Sequence, residues 1–160
     1  MTAEQLLAKG AIYFEQIGAG LRNSEQYDSE IIRMNPAEAY ESLLKTWEKS
    51  GKERGFCDFY YFRLDEDARN RVDMWLTETE KTYLERMEQE LERSGSRGHV
   101  IFPLTRPLLE IAVKLNAQAV LFSTFYFTGE VEERSAWWGN YNQEYVVFRQ
   151  KRYGKLRVIK

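Results

Sequence analysis

The sequence predicts an α+β fold: a largely antiparallel sheet of about five strands packed against N-terminal helices and one long amphipathic helix. Three observations point there. Helix-start signals and apolar residues at helical spacing dominate the chain up to Gly95. Short runs rich in aromatic and β-branched residues, divided by turn residues, dominate the chain beyond Gly95. One further aromatic run, FCDFYYFRL, lies between helical segments and is counted with the later strands. With 160 residues and no internal repeat or low-complexity tract, a single domain over residues 1–160 is expected.

Taken in order, Thr2 and Gln5 have the spacing of a capping box, and Leu6, Tyr13, Phe14 and Ile17 recur at helical spacing until Gly18 and Gly20. A polar connection, NSEQYDSE, comes next. NPAE then sets Asn35 as N-cap, Pro36 at the first helical position and Glu38 where it reaches back to the cap, with Tyr40, Leu43, Leu44 and Trp47 as the apolar face. Phe56 to Leu64 reads as a strand. Asp65 or Asp67 can cap a long helix whose apolar positions run from Val72 through Trp75, Leu76, Leu84 and Leu91 to Gly95. Such a helix would be about 40 Å long.

HVIFPLT reads as a strand, TRPLLEIAVKLN as a helix capped near Thr105 or Arg106, and AVLFSTFYFT as a long, mostly buried strand. The helix between those two strands could be a parallel crossover, which would make the sheet mixed. EVEERSAWWGNYNQE reads as a connection between antiparallel strands, with Gly139 and Asn140 supplying a positive-φ turn. QEYVVFRQK and KLRVIK are the last strands, joined at Arg152, Tyr153 and Gly154.

Composition narrows the function classes. A net charge of -2 argues against generalised attraction to nucleic acid or anionic lipid, and no run approaches the ~20 apolar residues of a membrane span. The opening MTAEQLLAKG has neither the cationic stretch nor the apolar run of a secretory signal, and the single cysteine, Cys57, has no internal disulfide partner. A cytoplasmic location is therefore expected. One histidine and one cysteine cannot build a Cys/His zinc cluster, and HExxH and CxxC are absent. The P-loop pattern, a dinucleotide fingerprint and the GxSxG elbow are absent too, so no cofactor is expected. A strand carboxylate such as Asp58 or Glu144 beside Gln150, Lys151 or Arg152 is too loosely spaced to read as a metal-dependent nuclease.

Candidate contact residues outnumber candidate catalytic ones. Trp137, Trp138, Tyr141 and Tyr145 crowd one short segment, and adjacent strand residues point to opposite faces, so both tryptophans cannot enter one core. One of them is expected outside or at a rim, where Trp and Tyr make strong interface contacts. The leading expectation is thus a non-enzymatic binding protein that recognises a macromolecular partner, most naturally another protein, through this loop. Homodimerisation along the apolar stripe from Val72 to Leu91 is a further option.

Two alternatives come from other residues. Alternation puts Asp58 on one face with Phe56, Tyr60 and Phe62; if that face is covered, the carboxylate marks a pocket for a small molecule or a reaction, enclosed between the sheet and the long helix, with FCDFYYF and STFYF supplying rings and hydroxyls for its wall, and its plainer reading is an exposed carboxylate or an ion pair with an arginine. His99, the single histidine, stands beside Arg93 and Arg97 in RSGSRGH and reads either as a base beside a glycine turn or as ordinary surface. The basic tail RQKRYGKLRVIK, with Arg152 and Tyr153 at its turn, suggests phosphate contact and base stacking, hence nucleic-acid binding. Its plainer reading is an edge protected by cations or resting on the acidic helix.

Overall fold

The computed structural model describes residues 1–23 and 25–151. Thr2 accepts from the Gln5 amide and Gln5 answers through its side chain, opening α1 (Ala3–Ala8). The helix stops there. Gly10 adopts φ +89°, where a Cβ is strained, and residues 11–16 cross the sheet without helical structure before α2 (Ile17–Arg22). The helical spacing of Tyr13, Phe14 and Ile17 therefore reflects a crossing segment that anchors these side chains, not one helix.

The polar stretch read as a connection contains β1 (Tyr27–Arg33). Four of its seven side chains in succession are exposed, so it lacks the alternation that would reveal it. Pairing holds it: all seven residues match β6 (Glu144–Gln150), and Arg33 bonds Glu144 at 3.0 Å while Arg149 pairs with Glu30. α3 (Pro36–Ser50) follows with the Asn35–Glu38 capping box complete. The aromatic run then splits. Only β2 (Gly55–Asp58) is strand, and Tyr61–Arg63 turns into a short 3-10 segment, which breaks the alternation and sends Phe62 to the helix-side core with Phe59 and Tyr61 rather than to the face of Asp58.

The expected long helix is two. Asp65 caps α4 (Glu66–Asp73), and Thr77 with Glu80 forms a fresh capping box for α5 (Glu78–Ser94). β3 (Ile101–Pro103) is short, Thr105 caps α6 (Arg106–Ala117), and β4 (Thr124–Phe127) occupies only the end of its long apolar run. SAWWG itself is β5 (Ser135–Gly139). The turn to β6 takes its positive φ at Asn142 and Gln143, not at Gly139 or Asn140. Gly139 is needed for proximity instead: a Cβ there would lie 2.6 Å from the buried amide of Asn116. The proposed strand KLRVIK and its turn lie outside the described residues.

The sheet order is β1-β6-β5-β4-β2-β3, and every neighbouring pair is antiparallel. β3 and β4 run parallel to each other only with β2 between them, so the crossover through α6 does not create a parallel ladder. Both faces of the sheet are covered. On one, α3, α5 and α6 bring Leu43, Trp47, Leu84, Leu108 and Leu115 against Cys57, Phe125, Phe127, Trp137 and Val147. On the other, Leu6, Ile12 and Phe14 from the N-terminal segment close over Phe56, Tyr126, Ala136, Val146 and Phe148. Each such buried side chain contributes about 1.5–3 kcal/mol, which explains β4, buried at every position. Among the described residues, no helix is long and apolar enough to cross a membrane.

Candidate functional site

β2 alternates as its sequence requires: Cys57 enters the helix-side core, while Phe56 and Asp58 face the N-terminal segment. The last β2–β4 pair is Cys57 with Phe125. One step further the ladder ends, and the Thr124 amide donates to Asp58 Oδ1 at 2.8 Å instead of to a main-chain carbonyl. Thr124 in turn pairs with Trp138 on β5. Asp58, Thr124 and Trp138 thus form a row across three strands at one end of the sheet. Tyr126, two residues along β4 on the same face, donates its hydroxyl to Asp58 Oδ2 at 3.3 Å.

The N-terminal segment roofs this row without filling it. A cavity of about 360 Å³ remains, walled by Tyr13, Phe14, Glu15 and Ile17 above, Asp58, Tyr60, Thr124 and Tyr126 below, and Trp138 to Asn140 at the side. The Tyr13 and Tyr126 rings lie 5.9 Å apart, tilted by 40°. At the opening, Phe122 meets the exposed Tyr141 edge-on at 4.9 Å. The indole N–H of Trp138 is buried and has no hydrogen-bond partner among the described residues. A donor left so costs about 1–3 kcal/mol.

Asp58 is half-buried and faces this cavity. Desolvation raises its carboxyl to about 6, against the pull of the Thr124 amide and the Tyr126 and Thr124 hydroxyls, which favour the ion. Burial and then the Asp58 charge push the Tyr126 hydroxyl well up, and Tyr60 is raised by the same two causes in that order. Tyr13 is raised by burial, then by Glu15 and Asp58. The phenols therefore stay protonated near neutrality and act as donors, while Asp58 is the acceptor. The Cys57 thiol lies on the other face, fully buried and pushed well up by desolvation, so it offers no nucleophile here.

Of the residues singled out from sequence, Asp58, Tyr60 and Trp138 converge on this cavity. Trp137 and Tyr145 do not: they are 5% and 2% exposed in the helix-side core, where the Trp137 indole donates to Ser135 Oγ at 2.9 Å and Asn116 donates to the Tyr145 hydroxyl at 3.2 Å. Trp138 is the one at a rim: it is half-buried, with the N-terminal layer packed against the face to which alternation sends it and the cavity on its other side. Tyr141 is exposed. His99 lines a separate groove with Met87, Leu91 and Phe102, and its neighbours Arg93 and Arg97 pair with Glu90 and Glu92. Arg152 and Tyr153 lie outside the described residues.

Tyr13, Phe14 and Glu15 escaped sequence reasoning because their spacing suggested a helix. Thr124 and Tyr126 were legible through the hydroxyl-rich run STFYF. The long helix expected to close the pocket lies on the opposite face of the sheet. Comparison with family models, curated proteins and solved structures finds no match, so the chemistry of the site rests on its own geometry.

Proposed function

We propose that this chain binds a small molecule in the cavity at the end of β2, β4 and β5, with Asp58 as its polar anchor. One observation carries the reading: a half-buried carboxylate that no lysine, arginine or histidine among the described residues answers lines the same space as the rings of Tyr13, Phe14, Tyr60, Tyr126 and Trp138. A volume of 360 Å³ falls within the ~300–1,000 Å³ of small-ligand sites. Binding without chemistry is favoured because the surrounding phenols keep their protons and the one thiol faces the other core. Protein capture through the β5–β6 turn has weaker support, since Trp137 and Tyr145 are buried and Tyr141 is its one strongly exposed ring.

The four tryptophans make this testable, because each gives an indole N–H signal in a nitrogen-15 correlation spectrum. Trp138→Phe identifies the signal at issue. Titration with small aromatic fragments of positive, negative and zero charge is expected to move the Trp138 signal while those of Trp47 and Trp75 stay in place. If no fragment of any charge moves it, the cavity is not a ligand site.

A further inference from the structure

Resting on the reading of this cavity as a ligand site, we propose that its ligand is an organic cation, an ammonium group on a short apolar body. The charges lining the cavity are those of Asp58 at its floor and Glu15 at its rim, and among the described residues no lysine, arginine or histidine lines it. Elsewhere the molecule answers its half-buried acids: Lys114 pairs with Glu80, and Arg69 holds Glu88 at 2.9 Å. Asp58, half-buried as they are, has two hydrogen bonds but no lining cation. A buried carboxylate is costly unless paired, so the missing charge is supplied from outside.

The walls fit that charge. Tyr13, Phe14, Tyr60, Tyr126 and Trp138 present ring faces or edges to the cavity, and aromatic rings attract an ammonium through their quadrupoles. The same rings accept the apolar part of the ligand. An anion would meet two carboxylates and is rejected; a neutral isostere would keep the ring contacts and leave Asp58 unanswered.

The groups that face Asp58 are Tyr13 and Glu15 from the N-terminal segment, Tyr60 from its own segment with Arg63 beyond it, and Tyr126 from β4; the end of β5 contributes no ionisable group. Affinity for a cation is thus expected to be level above neutrality and to fall as pH drops from 7 to 5, while Asp58 takes up its proton.

Three probes of similar shape decide the matter: benzylammonium, benzyl alcohol and benzoate, titrated while the Trp138 indole signal is followed, with choline as a second cation bearing a hydroxyl. Benzylammonium is expected to bind at least about tenfold more tightly than benzyl alcohol, and benzoate not at all. Asp58→Asn is expected to lose that advantage for both cations while its spectrum keeps native dispersion and benzyl alcohol still binds. Equal or tighter binding of the alcohol or of benzoate, or cation affinity unchanged in Asp58→Asn or at pH 5, overturns the cation assignment and leaves the ligand site standing. No response to any probe removes both.

Discussion

Asp58 stands at the end of a ladder where its side chain takes over a main-chain bond, and this position links the site to stability. In the folded chain its carboxyl titrates at about 6, against an ordinary value of 3.8. Between those values the folded state holds the proton more tightly than the unfolded one. The stabilisation from this protonation is complete at low pH and is lost as pH rises through about 6. At about 1.4 kcal/mol per unit the gap amounts to nearly 3 kcal/mol, and solvent contact through the cavity reduces it to about 1–2. Asparagine keeps an acceptor for the Thr124 amide and removes the buried charge. Asp58→Asn is therefore expected to be more stable than the parent by about 1–2 kcal/mol above pH 7, with the advantage shrinking toward pH 4 in urea titrations. A variant less stable at pH 8 would show that the carboxylate is structurally satisfied. That Asp58 and Tyr60 belong to one wall was legible from alternation alone; that Trp138 joins them was not, because the pairing of β4 with β5 brings it there.

At the scale of elements, the break between α4 and α5 shows how a periodic sequence conceals a turn. Val72, Trp75, Leu76 and Leu84 keep helical spacing in the sequence although Thr77, between them, takes an extended backbone. The contact of Arg69 with Glu88, at 2.9 and 3.2 Å, cannot occur on one straight helix, where the two would stand about 28 Å apart. The local signal for the break is Thr77 with Glu80, a capping box inside the acidic run. Glu80 has a further role. Burial pushes its carboxyl up, but Lys114 on α6 and the Thr77 amide outweigh that and hold it below the usual range. Thr77→Ala is expected to lower stability by about 1 kcal/mol and to loosen α5 at its start, visible as faster amide exchange at Glu80 and Lys81. Exchange unchanged there would mean that packing alone fixes the break. β1 is the converse case: its sequence is poor in strand signals, and pairing with β6 imposes the strand.

Over the whole molecule, the decisive feature is a sheet covered on both faces by unlike layers, helices on one and an N-terminal segment on the other. The second layer is thin, and Phe14 is its anchor, edge-on to Tyr27 at 5.3 Å and to Phe148 at 5.2 Å. Phe14→Ala is expected to cost about 2–4 kcal/mol in one cooperative urea transition, because the cavity it leaves opens onto the sheet itself. Two separated transitions, followed by far-ultraviolet dichroism and tryptophan fluorescence, would show instead that the N-terminal layer unfolds by itself. The ligand cavity exists because this layer roofs the end of the sheet incompletely, so Phe14→Ala should also weaken any ligand that moves the Trp138 signal.

Features that depend on residues a few positions apart were written in the sequence. The capping boxes at Thr2 and Asn35, the caps at Asp65 and Thr105, and the alternation of β2 are of this kind, because each is a hydrogen bond or a side-chain direction set by the local chain. The α+β class followed from them. What only the tertiary structure decided are matters of long-range burial: the strand state of Tyr27–Arg33, the burial of Trp137 and the partial covering of Trp138, and the cavity beneath Tyr13 and Phe14. Alternation correctly separated the two tryptophans, but a sheet has two faces, and whether the second meets water or another layer depends on a segment more than a hundred residues away in the chain.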